Sequence, residues 1–137
     1  MFKNRMRTDL FDRWTKNARL GKTSAESGEA VIQVSQSNLQ SIVIVSGCVT
    51  VDSSPHVRSV LLSLLRKGAC KTLTIDLSKV YYADVSGIAT FLEAVKAAGE
   101  RSTRLRLVGL TGQVRMLAEV TKLDEIYRAV GAEVEFK

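Results

Sequence analysis

Hydrophobic positions along the chain follow two patterns, one typical of β-strands and one typical of α-helices. Strands are predicted where apolar residues are adjacent or alternate with polar ones and where β-branched residues dominate. The four predicted strands cover residues 31–34, 41–46, 72–77 and 104–108. Residues 42–45 are β-branched and apolar throughout, so we expect the second strand to lie in the interior of a sheet. Gly47 follows it and indicates a β-bulge or a close backbone approach. In the fourth strand, apolar Leu105 and Leu107 alternate with arginines, as in a half-buried strand.

Three other segments repeat apolar residues at the 3.6-residue period of an α-helix. Their apolar stripes are Val57, Val60, Leu61, Leu64 and Leu65; Ile88, Phe91, Leu92, Val95 and Ala98; and Val114, Leu117 and Val120. Ser53 or Ser54 is expected to cap the first helix, and Thr111 the third. Gly68 and Gly99 are expected to end the first and second helices. The tail, residues 130–136, fits either a strand or a helix end.

The predicted order is therefore β-β-α-β-α-β-α, which is an α/β fold. Strands that alternate with helices favour right-handed crossovers and parallel pairing. The first two strands are too close in sequence for such a crossover, so we expect them to pair antiparallel. The prediction is a single domain with a mixed β-sheet and helices packed on it, and 137 residues suffice for a hydrophobic core.

Positive charge is concentrated at the N-terminus. Residues 1–22 contain seven basic and two acidic residues, so they contribute +5 of the net charge of +6. The rest of the chain is nearly neutral and has no basic stripe with interleaved aromatic residues. The high isoelectric point therefore belongs to an arm, and we expect no nucleic-acid partner.

The same arm has apolar residues at a spacing of four, namely Phe2, Met6, Leu10 and Trp14. It could be a basic amphipathic element that docks on an anionic membrane or on a partner. The favoured interpretation is a segment that packs on its own domain, packs on a second subunit of a homodimer, or frays. Residues 21–28 are small and polar, which is typical of a linker. We therefore divide the chain into an arm with linker, 1–28, and a domain, 29–137.

Little in the chain points to catalysis. The chain contains neither Gly-x-x-x-x-Gly-Lys-Ser/Thr nor Gly-x-Gly-x-x-Gly, the two glycine-rich motifs that bind phosphate groups. The single histidine, His56, lies at the start of the first predicted helix, and nothing in the sequence indicates that it reaches Ser86 to act as a base. Cys48 and Cys70 lack metal-ligand or redox spacing, which favours a reduced, cytoplasmic protein. The charged N-terminus without an apolar core predicts no secretion, and no apolar run is long enough to span a bilayer. We predict no enzyme activity, catalytic residue, metal or cofactor.

One stretch carries candidate chemistry, residues 76–92. It predicts a strand that ends in an acidic residue, a short connection, and then Asp84-Val85-Ser86-Gly87 at the start of a helix. Ser86 is accordingly a plain helix cap or a chemical switch, and the local pattern leaves both open.

These residues resemble the STAS domain family, the anti-sigma-factor antagonists. The match lies in Asp76-Leu77-Ser78 followed by Asp84-Val85-Ser86-Gly87-Ile88, where the family has Asp-Leu-Ser, a few residues, and Asp-Ser/Thr-Ser/Thr-Gly-Leu. Weaker matches extend the resemblance over residues 31–128. The resemblance implies a STAS-like fold and a phosphorylation-switched binding module. Its partner would be an anti-sigma factor with a histidine-kinase-like ATP site, which would phosphorylate Ser86.

Two departures from the family pattern concern the partner-binding surface, which the resemblance assigns to Thr50, Asp52 and residues 84–87. Val85 replaces a hydroxyl or small polar residue, and Thr50 stands where an acidic residue is common, with Asp52 two positions on. These departures suit an alternative, an accessory STAS subunit bound to the ATPase of an ABC-type lipid transporter. A hydrolase that uses Ser86 ranks far below both.

Overall fold

The computed structural model describes residues 30–67 and 70–137. It contains five strands and four helices in these ranges. The strands are β1 (Val31–Ser37), β2 (Gln40–Val49), β3 (Thr72–Ala83), β4 (Arg104–Leu110) and β5 (Glu133–Phe136). The helices are α1 (Ser54–Lys67), α2 (Val85–Glu100), α3 (Gly112–Val120) and α4 (Leu123–Ala129). The predicted arm and linker, residues 1–28, lie outside the described residues, so the boundary at residue 29 stays a prediction.

The five strands form one mixed sheet in the order β1-β2-β3-β4-β5. β1 and β2 pair antiparallel, and each later neighbour pair is parallel. This confirms the predicted α/β fold and the antiparallel first pair. Each parallel strand is added on the same side of the strand before it. Right-handed crossovers between these strands therefore bring the described helices to one face of the sheet.

Burial follows that arrangement. The helix-covered face holds the core, which includes Val43, Val45, Ile75, Leu105 and Leu107, all almost completely buried. The side chains between them point the other way, to a surface that we call the open face. Strand pairing aligns the open face in two rows. The rows are Gln33, Ile44, Asp76, Val108 and Glu135, and Ser35, Ile42, Thr74, Arg106 and Glu133.

β3 is longer than predicted, because it continues past Leu77 to Ala83. Its pairing with β2 shifts register twice, once near Leu77 and once near Tyr81, so two extra residues bulge from β3. The Asp76 carboxylate accepts a hydrogen bond from the Ser78 N–H at 2.9 Å across the first shift. Gly47 has a φ of +100° and precedes the second shift, but the extra residue at that shift lies on β3, so the bulge predicted at Gly47 is found in the strand that pairs with it.

The C-terminal part also differs from the prediction. α4 was not predicted, whereas the tail forms a strand, β5, which is one of the two alternatives left open for it. Gly99 does not end α2, which runs to Glu100. Val120 was expected in the core but is 72% exposed, because α3 buries Val114 and Ala118 instead. Thr111 occupies the cap position of α3 without a side-chain hydrogen bond.

No helix in residues 30–67 and 70–137 is long and apolar enough to cross a membrane. The same ranges contain no group of three or more histidine, cysteine or acidic side chains that could hold a metal ion.

Tyr127 ties α4 to α2 through its hydroxyl, which donates a 2.6 Å hydrogen bond to the Phe91 carbonyl. The side chain is fully buried, and burial raises the pKa of Tyr127. We expect Tyr127→Phe to lower the free energy of unfolding by about 0.5–1.5 kcal/mol at neutral pH. Since the folded pKa is raised, the neutral phenol stabilises the fold fully below the unfolded value of about 10, and this contribution is lost as pH rises further. Denaturant melts at pH 7 and above pH 10 measure both effects.

The matched control is Tyr82→Phe, since Tyr82 is 44% exposed. This variant should leave stability within about 0.5 kcal/mol of the wild type. An unchanged alkaline loss of stability in Tyr127→Phe would contradict the assignment to the buried phenol.

Candidate functional site

The candidate site lies at the carboxyl ends of β2 and β3, where α2 begins. Asp84 connects these elements through hydrogen bonds from three backbone N–H groups. Its Oδ1 accepts from Ser86 at 2.8 Å and Gly87 at 3.3 Å, and its Oδ2 accepts from Val51 at 3.0 Å. The Asp84 N–H in turn donates to the Val49 carbonyl at 3.1 Å. One carboxylate therefore caps α2 and fixes the loop after β2.

Asp84, and not Ser86, is the N-terminal cap of α2. The interpretation of Ser86 as a plain cap is therefore wrong. Asp84 has the extended backbone of a cap residue, and its carboxylate already bonds the amides that a Ser86 cap would need. Ser86 is the second residue of the helix and is partly exposed. Within the described ranges, no group is hydrogen-bonded to its Oγ, so the hydroxyl remains available.

The loop from Thr50 to Ser53 lies beside Ser86 because Val51 is bonded to Asp84. Thr50 organises this loop: its carbonyl accepts from the Ser53 and Ser54 N–H groups, and its Oγ1 accepts from the Asp52 N–H at 3.3 Å. Ser53 receives the first helical bonds of α1 on its carbonyl, but its hydroxyl is used within the loop. The structure thus brings the predicted residues Thr50 and Asp52 to the same surface as residues 84–87.

Gly87 lets α2 approach the end of β2. A Cβ at this position would stand 2.9 Å from the Val49 carbonyl oxygen and 3.0 Å from a Val49 methyl carbon. The glycine is therefore required by close packing, since its backbone does not need a positive φ. Gly87 is buried, so it supports the surface and does not form part of it.

Two contributors to this surface were missed in the sequence. Val51 supplies the amide that Asp84 holds, and a backbone group gives no residue-type signal. Gln113, on α3, pairs with both backbone groups of Ala83: its Oε1 accepts at 2.9 Å and its Nε2 donates at 2.8 Å. A glutamine near a helix start resembles any solvated residue, and only the fold brings it to the end of β3.

The surface around Ser86 is largely apolar. Its exposed neighbours in the chain and across the β2–β3 pair are Val51 at 65%, Tyr81 at 65%, Tyr82 at 44% and Val85 at 68%. A hydrogen bond with Cys48 raises the pKa of the Tyr81 phenol. Both oxygens of Asp84 accept hydrogen bonds from the backbone, and the carboxylate of the exposed Asp52 is a second acidic group at this loop.

Comparisons with known proteins agree on one family. A family model described as "Mlab, STAS domain" matches residues 32–130, which is more than half of the chain. The chain belongs to the STAS domain family. The anti-sigma-B factor antagonist of Listeria monocytogenes is 31% identical over 94 residues, which cover 68% of this chain and 81% of the relative.

Solved structures of STAS proteins share the fold. An anti-sigma factor antagonist from Mycobacterium paratuberculosis superposes with a TM-score of 0.64 at 21% identity, over 72% of this chain and 82% of that one. The phosphorylated form of SpoIIAA, a Bacillus cell fate determinant, gives a TM-score of 0.59 at 13% identity, over 76% and 89%. At these identities the likeness concerns the fold alone.

The two halves of the STAS motif have different roles in this structure. Asp76 and Ser78 shape the first bulge of β3, beneath Gly109. Asp84 and Gly87 build the start of α2, and Ser86 faces outward from it. The first half therefore maintains the sheet, and the second half presents the candidate surface.

Proposed function

We propose that this STAS domain is a protein-binding module whose surface around Ser86 is switched by phosphorylation of that serine. The observation that carries the proposal is the available Ser86 hydroxyl, which stands at a helix start beside exposed Val85. The proposed partner is an anti-sigma factor of the serine-kinase type, because the Listeria relative is an anti-sigma-B factor antagonist. SpoIIAA has a phosphorylated form, so this fold accommodates phosphate.

A phosphate on Ser86 would leave the fold intact. It would add about −1.5 to −2 of charge next to the positive end of the α2 dipole, which favours anions. The amides of Ser86 and Gly87 already donate hydrogen bonds to Asp84. The phosphate would therefore be stabilised by the helix dipole and by hydrogen bonds from water. Asp84 would be its nearest like charge, but three hydrogen bonds hold that carboxylate in place.

The same phosphate would change what a partner meets. The surface formed by Val51 and Val85 is apolar, and a partner that covers it would have to desolvate the phosphate. Burying an uncompensated charge costs several kcal/mol. We therefore expect phosphorylation of Ser86 to weaken the complex at least about a hundredfold, which corresponds to about 2.8 kcal/mol.

A second candidate is a permanent accessory subunit bound to the ATPase of an ABC-type lipid transporter. Exposed Val85 favours it, because an apolar residue in place of a hydroxyl suits a lasting contact. In this case the surface of Thr50, Asp52 and residues 84–86 would be the same, but Ser86 would contact the ATPase unmodified. Neither proposal involves catalysis by this chain, a metal or a cofactor.

Ser86→Ala and Ser86→Glu separate the proposals in pull-downs from native extract, followed by mass spectrometry of the bound proteins and of the bait. We expect wild type and Ser86→Ala to retain a serine kinase and Ser86→Glu to lose it, and we expect ATP to add one phosphate to wild type and to the control variant but not to the Ser86 variants. Ser37→Ala is the control, because Ser37 is exposed at the far end of β1.

Phosphate on Ser86→Ala, or equal kinase retention by Ser86→Glu, would contradict the switch. Recovery of one ABC ATPase by all variants alike would favour the accessory subunit. Turnover of an ester substrate that disappears in Ser86→Ala would overturn both in favour of a hydrolase.

A further inference from the structure

The open face of the sheet contains apolar side chains that no described residue covers. Ile42 is 41% exposed, and Ile44 and Val108 are partly exposed. Ile42 pairs with Thr74, which is 9% exposed, and Ile44 and Val108 lie on either side of Asp76 in the next row. All four described helices follow crossovers that bring them to the opposite face. A parallel sheet is normally covered on both faces, and β2 to β5 are parallel.

We propose that residues 1–22 of the same chain cover the open face, with Phe2, Met6, Leu10 and Trp14 placed against Ile42 and Ile44. The arm offers four large apolar side chains at a regular spacing of four. As a helix of 22 residues it would be about 33 Å long. The five strands span about 19 Å, so this length suffices to cross the sheet.

The point at which the chain enters the sheet allows this placement. Ala30 immediately precedes β1, which is an edge strand, so the arm is connected to one side of the open face. The connecting residues 23–29 can extend over about 23–25 Å. They can therefore bring residue 22 to any strand without crossing the helix layer.

Charge on the open face is compatible with a cationic segment. In the two rows, β1, β2 and β3 carry a single charged residue, Asp76, which is acidic. The basic residue of β4, Arg106, is paired with Glu133 at 3.0 Å and with Glu135 at 2.9 Å. In these rows, an arm with a net charge of +5 would therefore lie over one carboxylate on β1 to β3. It would lie over no basic side chain on these three strands, and Arg106 on β4 is already paired with acidic residues.

The chain provides its own reporter, because Trp14 is its only tryptophan. In the full-length protein, we expect Trp14 emission at a shorter wavelength than in the urea-unfolded chain. Ile44→Lys should shift the emission to the wavelength of the unfolded chain, since a lysine would put a like charge under the arm. Ile42→Lys is a second variant at a more exposed position and should act in the same direction. Circular dichroism establishes that both variants are folded.

Val120→Lys is the matched control, because Val120 is an exposed valine on α3, away from the open face. It should leave the emission unchanged. Trp14 emission equal to that of the unfolded chain in wild type, or unaffected by both isoleucine variants, would overturn the proposal. A short-wavelength emission that appears only with anionic vesicles would assign the arm to a membrane, and one that depends on protein concentration would assign it to a second copy. Neither result depends on the role of Ser86.

Discussion

Replacing Asp84 with alanine should lower the free energy of unfolding by about 2–4 kcal/mol. The variant removes the α2 cap, which is worth about 0.5–2 kcal/mol, and it leaves the Val51 amide without its acceptor, at about 1–3 kcal/mol. The lost bonds are those from Ser86, Gly87 and Val51. Urea unfolding monitored by circular dichroism measures the change. Because the Val51 loop is released as well, binding of any partner that covers this surface should weaken together with stability.

Asp84→Asn and Asp52→Ala are the matched controls. Asparagine caps helices about as well as aspartate, but its Nδ2 cannot accept from the Val51 N–H, so Asp84→Asn should recover the cap contribution of about 0.5–2 kcal/mol and not the Val51 contribution. The carboxylate of exposed Asp52 makes no hydrogen bond or ion pair within the described ranges, and its removal should change stability by at most about 0.5 kcal/mol. If Asp52→Ala and Asp84→Ala cost the same, the carboxylate of Asp84 does not have the structural role that we assign to it.

Gly109→Ala should be the most damaging conservative substitution that we propose, with a loss of about 2–5 kcal/mol. Gly109 has a φ of +81°, where an L-residue costs about 1–2 kcal/mol. A Cβ there would also stand 2.8 Å from the Ser78 nitrogen and 3.0 Å from the Asp76 Oδ1. These atoms form the bulge of β3 and cannot move away without breaking it, so overpacking adds about 1–3 kcal/mol.

Two other glycines separate the contributions to that loss. Gly112 has a φ of +60° but nothing within 4 Å of an added Cβ, so Gly112→Ala should show the backbone cost alone. Gly99 lies in α2 with an ordinary φ and open space, so Gly99→Ala should stabilise by about 0.5–1 kcal/mol. Thermal unfolding of the three variants gives their melting temperatures, which should rise in the order Gly109→Ala, Gly112→Ala, Gly99→Ala. Equal melting temperatures for Gly109→Ala and Gly112→Ala would contradict the proposed clash.

The sheet and its helices could be predicted because their side-chain periods differ. Leu105 and Leu107 alternate with arginines as a half-buried strand requires, and both are buried in β4. The extension of β3 to Ala83 could not be predicted, because Lys79, Tyr81 and Tyr82 look like a solvated loop in sequence. They remain in a strand because the bulges turn these side chains outward while Val80 and Ala83 stay buried.

The candidate site was predicted in composition but not in organisation. The family motif identified Asp84, Ser86 and Gly87, yet the choice of the residue that caps α2 depended on which side chain bonds the helix amides. That choice depends on φ and ψ at Asp84, which the motif does not specify. The contribution of Gln113 depends on a contact across 30 residues and has no local signal.

The order β1-β2-β3-β4-β5 means that every strand pairs with its neighbour along the chain. No strand has to wait for a distant partner, so contact order is low for a mainly parallel sheet, and low contact order favours rapid folding. During synthesis, each βα unit can dock on the strands already in place as it leaves the ribosome. The Ser86 surface consists of residues from β2 through the start of α3, and it can therefore be assembled before the last edge strand, β5, has been translated.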